Sequence, residues 1–268
     1  MNKKSRLPSL PELLSFQNKT ALITGAASGI GEAIAYRFAE AGASLELVDV
    51  DDAKLVKVQE NLKRFNVEVN VHKVDLSKKD EIDNLWKALE SKAPDILVNN
   101  AGIYPSKCFL TVDDAFLQKV LDVNLKSVFW MCQHMIKERS KKGGVIINMG
   151  SIEAVLPLKE ALCHYDLSKA GVMTLTRALA SEYGKRGFRI NVLVPGGVWT
   201  EGTKGVAKDV FKFKPSIVKT GIEYGLRTPL GRMGSPDEIA RMALVLASDF
   251  SSYMQGSLVV VDGGFLSA

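Results

Sequence analysis

Tyr165 and Lys169 stand four apart in the run Tyr165-Asp166-Leu167-Ser168-Lys169. On a helix that spacing puts both side chains on one face. An ammonium beside a phenol favours the phenolate and draws its pKa down from about 10. Tyr165 is therefore a candidate general acid or base for interconverting an alcohol and a ketone. A second run, Thr24-Gly25-Ala26-Ala27-Ser28-Gly29-Ile30-Gly31, spaces its glycines as G-x-x-x-G-x-G. Such glycines let the backbone turn tightly, approach a pyrophosphate and pack a following helix on a sheet. The helix N-terminus then offers free N–H groups to an anion. Asp49 lies 18 residues after Gly31. A strand-end carboxylate there accepts hydrogen bonds from adenosine ribose hydroxyls and repels a 2′-phosphate. No Lys or Arg stands at positions 49–52 or in the glycine run, so the electrostatics favour NAD over NADP. The alternative is that Asp49 only caps the next helix.

These residues need elements to place them. Short apolar segments at 20–24, 44–48, 67–74, 95–99, 145–149, 189–194 and 257–261 read as strands covered on both faces. Between them, helical patterns run over 30–41, 52–65, 78–91, 113–139, 165–184 and 236–247. Strand and helix in alternation mean a parallel sheet, because a parallel pair needs a long crossover. The expected fold is α/β, a doubly wound (Rossmann) parallel sheet of about seven strands with helices on both faces. Residues 1–16 read as an N-terminal arm and 17–268 as one domain. The rhythm lapses only between Thr200 and Thr228.

Composition narrows the function classes. Thirty-five Lys and Arg against 30 Asp and Glu give a net charge of +5, with no long basic block. Nucleic acid is therefore not an expected partner. The longest apolar runs fall far short of the roughly 20 residues of a membrane helix. The three cysteines, Cys108, Cys132 and Cys163, form no C-x-x-C pair, which suits a reducing, cytoplasmic compartment. His72, His134 and His164 are scattered, and no H-E-x-x-H run exists, so no metal is expected. Nucleophile-elbow and phosphate-loop motifs are also missing from the sequence.

From residue 17 to 265 the chain resembles the classical short-chain dehydrogenase/reductase family. The matching features arrive in order: the glycine run from Thr24, Asp49, Asp75-Leu76, Asn99-Asn100-Ala101-Gly102, Asn124, Ser151, Tyr165-x-x-x-Lys169, Asn191, Pro195-Gly196 with Thr200, and Asp262-Gly263-Gly264. The resemblance implies that Tyr165 passes the proton and that Lys169 binds the nicotinamide ribose and lowers the tyrosine pKa. It implies that Ser151 hydrogen-bonds the substrate oxygen and that Asn124 holds a water linking Lys169 to solvent. Cofactor contacts would come from Gly25, Ser28, Gly29, Ile30, Gly31, Asp49, Asp75, Leu76, Asn100, Ala101, Gly102, Pro195, Gly196, Val198 and Thr200. The hydride chemistry belongs to the cofactor, and the protein supplies position and electrostatics. The family also implies a homotetramer or homodimer built on the two long helices. One departure is visible: Ser151 stands 14 residues before Tyr165, one more than the family's commonest spacing.

The same resemblance makes 201–228 a substrate lid. Four residues are candidates for the pocket: Glu153, His164, Trp199 and Tyr104. Glu153 stands where the family usually has a small residue. It would bond sugar hydroxyls or pair locally. Trp199 and Tyr104 would line a wall or pack on the sheet. His164 would face the pocket or fill a structural role. The leading expectation is an NAD(H)-dependent dehydrogenase acting on a secondary alcohol or ketone. The alternatives are an aldose or polyol dehydrogenase, a 3-oxoacyl thioester reductase, and a dinucleotide sensor without catalysis.

Overall fold

The computed structural model describes residues 6–200 and 225–268. Seven parallel strands form one sheet in the order β3-β2-β1-β4-β5-β6-β7. They are β1 (Thr20–Thr24), β2 (Ser44–Asp49), β3 (Val69–Lys73), β4 (Ile96–Asn99), β5 (Gly144–Met149), β6 (Phe188–Pro195) and β7 (Leu258–Val261). The helices are α1 (Leu10–Leu14), α2 (Gly29–Glu40), α3 (Asp52–Leu62), α4 (Lys79–Ala88), α5 (Asp114–Leu121), α6 (Ser127–Glu138), α7 (Cys163–Tyr183) and α8 (Pro236–Ala247). This is the doubly wound sheet expected from the sequence.

The lack of polar alternation in the strands has its explanation in the two cores. Ala21, Ile23, Leu45, Leu47, Ile96 and Val98 face α2, α3 and α8. Their neighbours Leu22, Val48 and Leu97, with Ile146 and Ile190, face the opposite layer, where α4, α6 and α7 pack. Successive strand residues point to opposite faces, and here both faces are dry. Each fully buried Leu, Ile or Phe contributes about 1.5–3 kcal/mol of transfer free energy. The strand order reverses between β1 and β4, so a crevice opens at their carboxyl ends.

Two differences from the sequence reading matter. The helical stretch expected over 113–139 runs from Asp114 to Glu138, but its central five residues, Asp122–Lys126, form a π-helical turn between α5 and α6. Hydrophobic periodicity does not register one extra residue per turn, and such turns gather at functional sites. The second concerns the arm. Its last residue, Phe16, is fully buried, lies edge-on to Phe38 at 5.0 Å, and donates its N–H to the Ala41 carbonyl at 2.8 Å. Before it, α1 is closed by a capping box between Ser9 and Glu12. Most of the 201–228 segment lies outside the described residues.

Candidate active site

The glycine run leaves the end of β1 and becomes α2. Gly25 has φ +65° and Gly29 φ +60°, which strain any side chain. Gly31 is required by proximity: an added Cβ would sit 2.0 Å from the Gly25 carbonyl oxygen. Ser28 precedes α2 as its N-cap but makes no side-chain cap bond. Ile30 packs against the core. Thr200 lies beside the turn, its Cβ 3.4 Å from where a Gly29 side chain would begin.

Thr24 locks this turn to β4. Its hydroxyl accepts from the N–H groups of Asn100 and Ala101, both at 3.0 Å. The Asn100 amide donates to the Thr24 and Gly25 carbonyls at 3.0 and 3.1 Å. The sequence reading gave Thr24 no role, although its position immediately before the first glycine was the available signal. Asp49 ends β2, where its carboxylate accepts from the Ala27 N–H at 3.0 Å and the Asp51 N–H at 3.1 Å. It braces the glycine turn, while Asp51 caps α3. After β3, the Ser77 hydroxyl at 2.7 Å holds the Asp75 carboxyl below its ordinary range. Leu76 beside it is buried. Pro195 closes β6, Gly196 donates to Val261 at 3.0 Å, and Val198 bridges to Gly234. Glycine turn, Asp49, Asp75, Asn100 and Pro195 all stand at or just beyond carboxyl ends of strands.

The chemical groups gather at the end of β5. Ser151 follows the strand and accepts from the Glu153 N–H at 3.2 Å. Tyr165 lies in the first turn of α7, and Lys169 one turn on. Burial pushes the Tyr165 phenol up to about 12, the Ser151 hydroxyl opposes that rise, and the Glu153 and Asp166 carboxylates add to it. Lys169 donates to the Met149 carbonyl at 2.8 Å, and its Nζ lies 5.9 Å from the centre of the Tyr165 ring. Burial draws its ammonium down to about 8. Desolvation thus decides the direction at the phenol, and spacing along a helix does not contain it.

Asn124 sits in the π-turn, fully buried. Its amide accepts from the Ile103 N–H at 2.8 Å and donates to the Ile103 carbonyl at 2.9 Å and the Ser168 hydroxyl at 3.2 Å. A Cβ on Gly102 would meet the Asn124 amide oxygen at 3.3 Å and Lys169 Nζ at 3.6 Å. Asn124, Gly102 and Lys169 therefore adjoin. Below them runs a buried chain that the sequence reading missed. Asn99 donates to Asn148 at 2.8 Å, and Asn148 donates to Thr176 at 3.0 Å, tying β4, β5 and α7. Two asparagines near the ends of apolar strands were the signal for it.

Of the pocket candidates, Tyr104 meets Tyr165 edge-on, ring centres 4.6 Å apart. Glu153 accepts from the Leu158 N–H at 2.9 Å. Trp199 is half exposed, and its backbone N–H donates to the Gly234 carbonyl at 3.0 Å. His164 is buried, edge-on to Phe116 at 4.8 Å, with Nε2 donating to the Pro105 carbonyl at 2.7 Å. Its ring packs against α5, and among the described residues its buried Nδ1 has no hydrogen-bond partner. Among the described residues, no cluster of His, Cys, Asp and Glu could hold a metal. No described helix is long and apolar enough to cross a membrane.

The chain is similar to known proteins over nearly its whole length. The family described as enoyl-(acyl carrier protein) reductase matches residues 25–266. A 3-oxoacyl-(acyl-carrier-protein) reductase from Chlamydia pneumoniae is 36% identical over 257 residues, 94% of this chain and 98% of that protein. Galactitol 2-dehydrogenase (L-tagatose-forming) from Cereibacter sphaeroides is 37% identical over 248 residues, 91% of this chain and 94% of that one. The structure of L-sorbose reductase from Gluconobacter frateurii, complexed with NADPH and L-sorbose, superposes with a TM-score of 0.89 at 31% identity, covering 96% of this chain and 99% of that chain.

Proposed function

The chain belongs to the short-chain dehydrogenase/reductase family, and from that premise we propose that it is an NAD(H)-dependent oxidoreductase interconverting a secondary alcohol and a ketone, with a polyol or ketose as the favoured substrate class. The observation that carries this is the meeting of Ser151, Tyr165 and Lys169 at the end of β5, beside a glycine turn with no room for a side chain at Gly31. The residues fit a dinucleotide. The glycine turn and the α2 N-terminus would take the pyrophosphate, Asp49 the adenosine ribose, and Asp75 and Leu76 the adenine. Asn100, Ala101 and Gly102 would border the ribose-phosphate path. Lys169 would hold the nicotinamide ribose, and Pro195, Gly196, Val198 and Thr200 the carboxamide and pyrophosphate. Bound there, a nicotinamide supplies the acceptor or donor of hydride.

This chain's own work is with the proton. Tyr165 Oη gives it to the substrate oxygen in ketone reduction and takes it back in alcohol oxidation. Ser151 holds that oxygen and stabilises the phenolate. Lys169, fixed by the Met149 carbonyl, places positive charge on the same side. The hydroxyl-rich class is supported by the polar pocket wall of Tyr104, Glu153, Lys159 and Asp166 around the phenol, together with the sugar-alcohol and ketose relatives. NAD preference is supported by the negative charge of Asp49. Two cations stand near: Lys54, paired with Asp51 at 3.4 Å, and Lys73, opposite Asp49 in the sheet.

A second reading, reduction of a 3-oxoacyl thioester, is favoured by the chlamydial relative. A panel of secondary alcohols, polyols and 3-oxoacyl thioesters, assayed with NAD(H) and NADP(H), separates the two. Polyol oxidation with NAD is the expected result. Turnover of thioesters alone, with NADPH, would replace it. The same reading includes a cytoplasmic homotetramer or homodimer built on α5, α6 and α7, with small-molecule substrates and no nucleic-acid or membrane partner.

A further inference from the structure

Between Ser151 and α7 the chain makes a short 3-10 turn, Ile152–Ala154, and a loop, and Glu153 stands in that turn. This side chain does not hang free. One carboxylate oxygen accepts from the Leu158 N–H at 2.9 Å and the Lys159 N–H at 3.4 Å, which closes the loop on itself. Burial first, and then the Glu153 carboxylate facing its hydroxyl, keeps the Tyr104 phenol protonated. Tyr104 in turn stands edge-on to Tyr165, its ring plane at 88° to the other. Lys159, from the same loop, lies over the outer face of Tyr104, its Nζ 5.1 Å from the ring centre.

We propose that Glu153 is a positioning residue for the reaction: by clamping its own loop and anchoring Tyr104, it fixes the wall against which the Tyr165 ring is held. This rests on the reading above that Tyr165 carries the proton. It assigns to Glu153 a local partnership in place of direct bonds to substrate hydroxyls.

Among the described residues, the charged and titratable groups around Tyr165 fall on three elements. Tyr104 comes from the segment after β4, Glu153 and Lys159 from the loop after β5, and Asp166 and Lys169 from α7. The Glu153 charge raises both neighbouring acids, the Tyr165 phenol and the Asp166 carboxyl, the latter to about 6 with burial as the larger cause. Among the described residues Asp166 Oδ1 is buried with no hydrogen-bond partner.

The experiment compares wild type, Glu153→Gln, which removes charge and keeps shape, and Tyr104→Phe, which keeps ring and charge. Two readouts are taken: the pH dependence of alcohol oxidation, and the carboxyl NMR titration of Asp166 with no nucleotide added. In Glu153→Gln the oxidation limb moves to lower pH by about 0.5–1 unit, and the Asp166 midpoint moves down as well. In Tyr104→Phe kcat falls several-fold, KM changes less, and the limb stays in place. A raised KM with both midpoints unmoved in Glu153→Gln means that Glu153 binds substrate, and overturns the proposal. Lost thermal stability with both midpoints unmoved means a loop clamp alone, and overturns it too. If Glu153→Gln does not fold, Tyr104→Phe decides: unchanged kcat overturns the proposal. A wild type that turns over nothing sinks the oxidoreductase reading, while the Asp166 midpoint still tests where the Glu153 charge acts.

Discussion

At Tyr165 burial and the carboxylates of Glu153 and Asp166 raise the phenol, the Ser151 hydroxyl lowers it, and the balance rests near 12. At neutral pH the group therefore holds its proton, the state needed to reduce a ketone. Alcohol oxidation needs the phenolate, so its rate is expected to climb through the alkaline range while reduction does not. Paired pH–rate profiles check this, and an oxidation rate flat above pH 8 contradicts it. Lys169 gives a prediction free of activity. Its folded pKa is depressed to about 8 from 10.5, so above pH 8 the unfolded chain binds the extra proton, and stability attributable to Lys169 rises with pH. The opposing loss from Tyr165 begins only above its unfolded value near 10. Wild type should gain on Lys169→Met by on the order of 2 kcal/mol between pH 7 and about 10, whatever constant offset the lost Met149 bond adds. Denaturant melts at the two pH values measure that gap. Asp49→Ala should relax discrimination against NADP about tenfold in kcat/KM. It should also weaken binding of both nucleotides, because the Ala27 N–H loses its acceptor.

Single elements set where these residues can stand. The π-turn Asp122–Lys126 turns Asn124 inward to hold Ile103 by both its N–H and its carbonyl. Asn124→Ala should leave those two groups unpaired, at about 1–3 kcal/mol each, and raise hydrogen exchange around 102–104 before the sheet loosens. In the glycine turn, Gly31→Ala drives a Cβ into the Gly25 carbonyl. It should lower the melting temperature and abolish dinucleotide binding, whereas Gly225→Ala, which meets nothing within 4 Å, should do neither. At this scale the sequence was informative where chemistry is tied to spacing. The glycine run, Tyr165 with Lys169, and the apolar strands were readable because each follows a fixed period or a backbone demand. The π-turn was not, since apolar periodicity continues across it. The Thr24 lock, the Asn99–Asn148–Thr176 chain and the Glu153–Tyr104 partnership join residues distant in sequence. The Tyr165 phenol rises where spacing alone predicts a fall, because desolvation depends on what covers it.

For the whole molecule, one parallel sheet brings the turns after six of its strands to its carboxyl end. The outer faces of α6 and α7 keep apolar residues in solvent, Phe129 at 44% and Leu167 at 57% exposed. Sedimentation should give a mass of two or four times the 29.2 kDa subunit, reduced by Phe129→Asp. A wild-type monomer at micromolar concentration contradicts that assembly. The account stands or falls on a proton held by Tyr165 beside a bound dinucleotide. The direct measurement is titration calorimetry with NAD combined with turnover on the best alcohol, for wild type and Tyr165→Phe. The expected result is similar nucleotide affinity in both and a kcat lowered by about 100-fold or more in the variant. Equal turnover by the two proteins, or a wild type that binds no dinucleotide, would contradict it.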